Sequence, residues 1–129
     1  MKSTKMVLGI DLGTSGVRIA IINNVGALIY TSSIDYRQGL ETAEDWKDCC
    51  EELIRNIPKQ LSQNLLGCSV DGTSGTILAC DLKGKPLGNA LPYNLNCQES
   101  NDLLNKLLPT KGSITNINSS LARGIRLIN

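Results

Sequence analysis

Apolar positions follow two rhythms along this chain: short continuous or alternating runs near the start, then a stretch with spacings of three and four. Met6 to Ile10 is an apolar run that ends on an acid, Asp11, and Val17 to Ile22 is a second run broken only by Arg18. β-Branched residues are frequent in both, and Gly13-Thr14-Ser15-Gly16 lies between them. That pattern predicts two antiparallel strands joined by a tight turn. Asn23-Asn24-Val25-Gly26 is a turn signal, Ala27 to Ile34 predicts a third strand of the same meander, and Tyr36 to Glu41 reads as loop. Thr42-Ala43-Glu44-Asp45 then has the form of a capping box, Thr42 as N-cap with an acid three residues on. Helical spacing of Trp46, Cys49, Cys50, Leu53, Ile54 and Ile57 predicts a helix to Ile57 with Trp46, Leu53, Ile54 and Ile57 buried. The charged residues Glu44, Asp45, Lys47, Asp48, Glu51, Glu52 and Arg55 are expected on its solvated face, and Pro58 ends it.

Leu65 to Val70 is a short apolar strand that follows a helix, so its place is parallel to the first strand, through a crossover. The expected sheet order is third, second, first, fourth, with the helix on one face. Beyond it, Thr76 to Cys80 predicts another strand, Asp81 to Pro86 a turn, Leu87 to Leu91 an extension and Pro92 to Cys97 a polar loop. Asn101 to Leu108 predicts a short helix stopped by Pro109, residues 110–118 a loop, and Leu121 to Ile128 a last helix capped by Ser119 or Ser120. The pattern breaks off at Asn129 without a C-cap signal.

The chain has 129 residues, the size of about one domain, with 41% hydrophobic and 19% charged residues, values of a globular rather than a disordered protein. A net charge of +1 gives no electrostatic case for nucleic acid or an acidic membrane, and the scarcity of aromatic residues removes the stacking platforms used for single strands. The five cysteines include no C-x-x-C and histidine is absent, which excludes common Cys/His zinc spacings and any Ser-His or Cys-His nucleophile. Reduced, mostly buried thiols in a cytosolic protein are expected. Lys2 and Lys5 precede an apolar run too short for a signal-peptide core, and no later run is long enough to span a membrane.

The chemistry concentrates in the first turn. Gly13, Thr14, Ser15 and Gly16 offer small side chains, two hydroxyls and exposed backbone N–H groups, a concavity that suits phosphate oxygens. Asp11 at the strand end repels bare phosphate and makes sense with a metal ion or a substrate hydroxyl beside it, while Arg18 supplies a fixed positive charge. Many glycine-rich hairpins bind nothing, and this one is neither a Walker A loop nor a G-x-G-x-x-G turn. An internal echo strengthens the case: Gly72-Thr73-Ser74-Gly75 repeats the motif after another apolar strand and another Asp. If the first and fourth strands are parallel neighbours, both turns leave one edge of the sheet, where α/β sheets hold ligands.

At this point a resemblance covers nearly the whole chain. Gly9 to Arg18 (G-I-D-L-G-T-S-G-V-R) resembles the first phosphate motif of the FGGY carbohydrate kinases, within the actin-like ATPase superfamily. Val70 to Leu87 followed by Leu91-Pro92-Tyr93-Asn94 resembles that family's sugar-side segment. Its G-T-S-G-T form, with no Gln-Met-His, and the Ser119-Ser120-Leu121-Ala122 stretch are similar to the D-ribulose kinases of cyanobacteria and plants more than to xylulokinases. The resemblance implies an α/β, ribonuclease H-like (actin-like ATPase) N-terminal domain with a mixed, incomplete sheet, residues 1–129 forming the N-terminal part of kinase domain I. It implies transfer of the ATP γ-phosphate to a ketopentose, D-ribulose first, with ATP and Mg²⁺ as cofactors and a cytoplasmic location. Asp11 would lie near the metal, directly or through water, and near the sugar; Gly13, Thr14, Ser15 and Arg18 would meet phosphate. Ser15, Gly16, Arg18, Gly72, Thr73 and Ser74 would meet substrate. The family's general base and its adenosine domain lie past Asn129, so no catalytic base is expected here, and the oligomeric state is left open. A non-catalytic actin-like binding domain, a xylulokinase or other FGGY fragment, and another actin-like ATPase are the alternatives.

Overall fold

A computed structural model describes residues 5–108 and 112–128. The chain divides into two compact units, Met1–Thr73 and Ser74–Asn129. The first is built on β1 (Met6–Leu12), β2 (Gly16–Asn23) and β3 (Leu28–Asp35), then α1 (Ala43–Arg55), a short α2 (Lys59–Ser62) and β4 (Leu65–Gly72). The sheet order is β3-β2-β1-β4, with β1 antiparallel to β2 and parallel to β4, as the pattern predicts. Strand alternation makes the two faces different. Met6, Leu8, Ile10, Val17, Ile19 and Ile21 point to one face and bury against Cys49, Leu53 and Ile57. Gly9, Asp11, Arg18 and Ala20 fall on the other, because Gly9 pairs with Ala20 and Asp11 with Arg18.

Helix α1 follows the predicted span but differs in its inner face. Leu53 and Ile57 are buried, whereas Ile54 is exposed and Trp46 half-buried. The helix packs on β2 and β3 along a narrow stripe, and Ile54 lies about 100° round from Leu53 and off that stripe. Trp46 stays at the helix start because its indole N–H donates to the Leu40 carbonyl at 3.0 Å. The expected capping box is absent: Thr42 makes no side-chain cap bond. Asp45 is buried rather than solvated, and its carboxylate accepts from the Gln38 N–H at 2.7 Å and from the Cys49 thiol at 3.6 Å. The helix stops at Arg55, and Pro58 is the N-cap of α2, which the apolar pattern did not predict. β3 and β4 are the outer strands, and β4 leaves Leu66 and Val70 well exposed.

The second unit holds no regular strand among its described residues. The predicted strand Thr76 to Cys80 and the extension to Leu91 are reduced to two isolated bridges, Ile77 with Leu91 and Cys80 with Pro86. Backbone bonds do link Ile77 with Leu91, Ala79 with Leu87 and Asp81 with Lys85. However, the limb from Leu87 to Leu91 is longer than that from Ile77 to Ala79, so no continuous ladder forms. The Asp81 turn is as expected: its carboxylate accepts from the Lys83 and Lys85 N–H groups, and Gly84 sits at φ 79°. Helices α3 (Asn101–Leu107) and α4 (Ser120–Ile128) enclose a small core of Cys97, Leu104, Ala122 and Ile125. Ser119 caps α4 by accepting from the Ala122 N–H at 3.0 Å. Pro109, expected to stop α3, and the pattern's break at Asn129 lie outside the described residues, as does Lys2.

Candidate functional site

The strand alternation that gives α1 its core leaves the opposite face of the sheet with small and polar residues. There a cavity of about 500 Å³ is lined by Gly9, Asp11, Arg18 and Ala20 together with Thr31, Ser69 and Asp71. Gly9 and Ala20, paired across β1 and β2, keep its floor low. An apolar neighbour of about 570 Å³ shares Gly9, Ala20 and Ser69 and extends along Val7, Ile22 and Cys68. Asp11 and Arg18 are cross-strand partners, and their side chains meet at 2.6 Å. Both remain substantially exposed, so this pair contributes little to stability and stays accessible to a ligand. Asp71 enters through the parallel register, directly beside Asp11. Two carboxylates and one guanidinium therefore line one cavity, with Asp11 holding the guanidinium.

The glycine turn lies at the strand ends that carry this pair. Thr14 and Ser15 are exposed at its tip. Gly13 N–H donates to the Gly16 carbonyl at 2.9 Å, which closes the turn. Gly16 is buried, and a Cβ there would fall 2.3 Å from the Ile34 carbonyl oxygen, so only glycine fits. A Cβ on Gly13 would come within 3.2 Å of the Arg18 guanidinium, so this glycine brings the turn's backbone close to the charge. Tyr36 holds the turn from β3: its N–H donates to the Ser15 carbonyl at 2.9 Å and its hydroxyl to the Gly13 carbonyl at 3.2 Å. Burial first, then the Cys50 and Cys49 thiols and the Asp11 and Asp45 carboxylates, push the Tyr36 hydroxyl up to about 12. It is a neutral donor at any ordinary pH. The Gln38 N–H holds the Asp45 carboxyl below its ordinary value.

Of the residues singled out in the sequence, Asp11 and Arg18 come together in the cavity, and Gly13, Thr14, Ser15 and Gly16 form the turn beside it. Gly72 ends β4 opposite Leu12. Thr73 turns back onto the first turn, its N–H and hydroxyl both donating to the Leu12 carbonyl, at 3.0 and 3.2 Å. Ser74 begins the second unit. The polar cavity residues missed are Thr31, Ser69 and Asp71. The signal for Asp71 was the repeated Asp-glycine-turn pattern, which placed an acid at both strand ends. Thr31 and Ser69 are ordinary strand residues that only register brings in.

The thiols take no part here. Cys49 and Cys97 are buried and Cys50 half-buried as expected, whereas Cys68 and Cys80 are exposed. Burial pushes the Cys49 and Cys50 thiols up, so both stay protonated. Among the described residues no group of three or more His, Cys, Asp or Glu is placed to hold a metal ion, and no helix is long and apolar enough to cross a membrane. Magnesium in phosphoryl-transfer sites is held by one or two carboxylates, waters and the nucleotide's own phosphates. Asp11 with Asp71 fits that donor set.

No protein-family model matches the chain. The chain is 32% identical over 117 residues to a xylulose kinase of Lactococcus lactis subsp. lactis (strain IL1403), covering 79% of this chain and 23% of that protein. It is 26% identical over 96 residues to a xylulose kinase of Staphylococcus xylosus, covering 68% of this chain and 20% of that protein. The chain thus spans a quarter or less of the curated relatives it matches. Among solved structures, a xyloylose kinase from Brucella ovis superposes with a TM-score of 0.70 at 21% identity, over 89% of this chain and 26% of that one. The chain has the actin-like ATPase fold of the sugar kinases, and its likeness to the xylulose kinases supports a carbohydrate-kinase family.

Proposed function

We propose that this chain is the N-terminal part of domain I of an ATP-dependent FGGY-type sugar kinase that phosphorylates a ketopentose, D-ribulose first. The observation that carries the reading is the Asp11–Arg18 pair at 2.6 Å, set in a cavity beside a glycine turn, on a sheet with the sugar-kinase fold. Each part matches a need of phosphoryl transfer, which relies on positioning and electrostatics more than on covalent chemistry. Gly13, Thr14 and Ser15 offer backbone N–H groups and hydroxyls to phosphate oxygens, and Arg18 offers a charge that does not titrate. Asp11 would accept from a sugar hydroxyl or, with Asp71 next to it, would help hold a magnesium ion. Magnesium bound there would supply positive charge to offset that of the phosphates. Gly72 is assigned to the sugar wall, whereas Thr73 acts by holding the end of β4 to the first turn, since its hydroxyl already donates to the Leu12 carbonyl. The general base and the adenosine pocket are expected outside residues 1–129.

The choice of sugar rests on sequence. The G-T-S-G-T segment and the lack of histidine favour D-ribulose, while the curated relatives are xylulose kinases, which supports D-xylulose as the second reading. Titrating the isotope-labelled chain with each ketopentose separates them. The ribulose reading expects tighter binding of D-ribulose, with amide shifts at Asp11, Ser69 and Asp71; tighter binding of D-xylulose would replace it.

A further inference from the structure

We infer that Tyr36 is a positioning residue that sets the direction of the phosphate-turn backbone. The inference rests on the phosphate role proposed for Gly13–Ser15 and names what orients it. Tyr36 packs with the core on the α1 side of the sheet, and its hydroxyl takes the Gly13 carbonyl at 3.2 Å. The described residues contain no cis peptide bond. In a trans peptide the carbonyl and the following N–H point in opposite directions. Holding the Gly13 carbonyl toward α1 therefore turns the Thr14 N–H away from it, toward the sheet face that carries Asp11 and Arg18. Gly13 is where that matters, because a Cβ there would come within 3.2 Å of the Arg18 guanidinium. A flip of this peptide would aim a carbonyl oxygen at the anion and lose the donor.

The Tyr36 backbone adds a second hold, its N–H on the Ser15 carbonyl, which no side-chain change removes. The two holds therefore separate cleanly. Substituting the hydroxyl alone frees the Gly13–Thr14 peptide and leaves the hairpin anchored. The side chain is a donor throughout the working range, since its environment keeps it protonated to about 12.

The test is a titration of the isotope-labelled chain with inorganic phosphate at a fixed magnesium concentration, which offsets the repulsion by Asp11, read at the Thr14 amide, in the natural sequence and in Tyr36→Phe. The expected result is a phosphate-dependent Thr14 shift that weakens by roughly fivefold in affinity in Tyr36→Phe, the scale of one lost neutral hydrogen bond. A merely structural role would lower the melting temperature and leave the folded chain's phosphate affinity unchanged, and that outcome overturns the inference. A ring-fluorinated tyrosine at position 36 keeps the shape and, held protonated at neutral pH by the same burial, offers a more acidic and stronger donor. It should keep the phosphate affinity of the natural sequence or raise it, and a loss as large as that of Tyr36→Phe overturns the inference. If the natural sequence shows no Thr14 response to phosphate at all, the phosphate role of the turn falls, and the inference with it.

Discussion

In the proposed site Asp11 is a charged group with little packing to lose. Its ion pair with Arg18 is exposed on both sides, a setting in which such pairs contribute about 0–1 kcal/mol. Asp11→Ala is therefore expected to leave the melting temperature within a few degrees of the original while abolishing sugar phosphorylation in the complete enzyme. Unchanged phosphorylation would remove Asp11 from the site. Thr14→Ala should act in the same direction but less, because a neutral hydroxyl contributes less than a charge at a phosphate. The two shifted groups near the turn predict how stability depends on pH. Tyr36 is raised from 10.0 to about 12, so the folded state favours its neutral form. That contribution is complete below pH 10 and is lost as pH rises through about 12, a loss that Tyr36→Phe should blunt in alkaline unfolding curves. Asp45 is lowered, so its contribution is complete above the ordinary carboxylate range and is lost as pH falls below about 4; Asp45→Asn should blunt the acid limb.

At the scale of elements, two close fits dominate. Gly16→Ala puts a Cβ 2.3 Å from the Ile34 carbonyl, so β2 and β3 must separate there. Overpacking of this kind costs about 1–3 kcal/mol, measurable as a lower denaturant midpoint. In the second unit, Arg123 is 2% exposed and donates to the carbonyls of Gly75, Tyr93 and Asn118 at 2.9, 2.8 and 2.7 Å. Arg123→Met strands those acceptors, at a cost of about 1–3 kcal/mol for each one left unsatisfied, and should unfold this unit first in hydrogen exchange. These elements also show what the sequence made legible. β1 to β3 are short runs rich in apolar and β-branched residues and joined by glycine-bearing turns, and β4 follows a helix, so order and direction could be read directly. The inner face of α1 could not, because helical spacing marks a broad apolar face and only the sheet's width selects Leu53 over Ile54. Asp45 looked solvated because its partner, the Gln38 N–H, belongs to the preceding loop. Arg123 gave no signal in the sequence, since the backbone carbonyls that accept from it leave no mark there. In the site, Asp11 and Arg18 were legible from the turn between them, while Thr31 and Ser69 needed the strand register.

At the scale of the molecule, the proposed function makes the chain one wall of a phosphoryl-transfer site. Acceptor, γ-phosphate, metal and base must be brought together in line. On that proposal, residues 1–129 contribute the glycine turn, Arg18, Asp11 and Asp71, and the base and nucleotide pocket are supplied from outside them. General-base help is worth about 10²–10⁴-fold, so residues 1–129 alone should not phosphorylate D-ribulose with Mg-ATP. Turnover on the order of 1–100 per second by this chain would mean that the base lies within it. The edge strand β4, with Leu66 and Val70 exposed, also predicts self-association of the chain in isolation, readable by light scattering against concentration. The central claim is that the face of the sheet carrying Asp11, Arg18 and Asp71 receives a ketopentose. The most direct measurement is amide-shift mapping of the isotope-labelled chain during titration with D-ribulose, repeated with Asp11→Ala. The account predicts saturable shifts at Asp11, Arg18, Ser69 and Asp71 that the substitution abolishes; no shifts on this face, or shifts that persist without the Asp11 carboxylate, would contradict it.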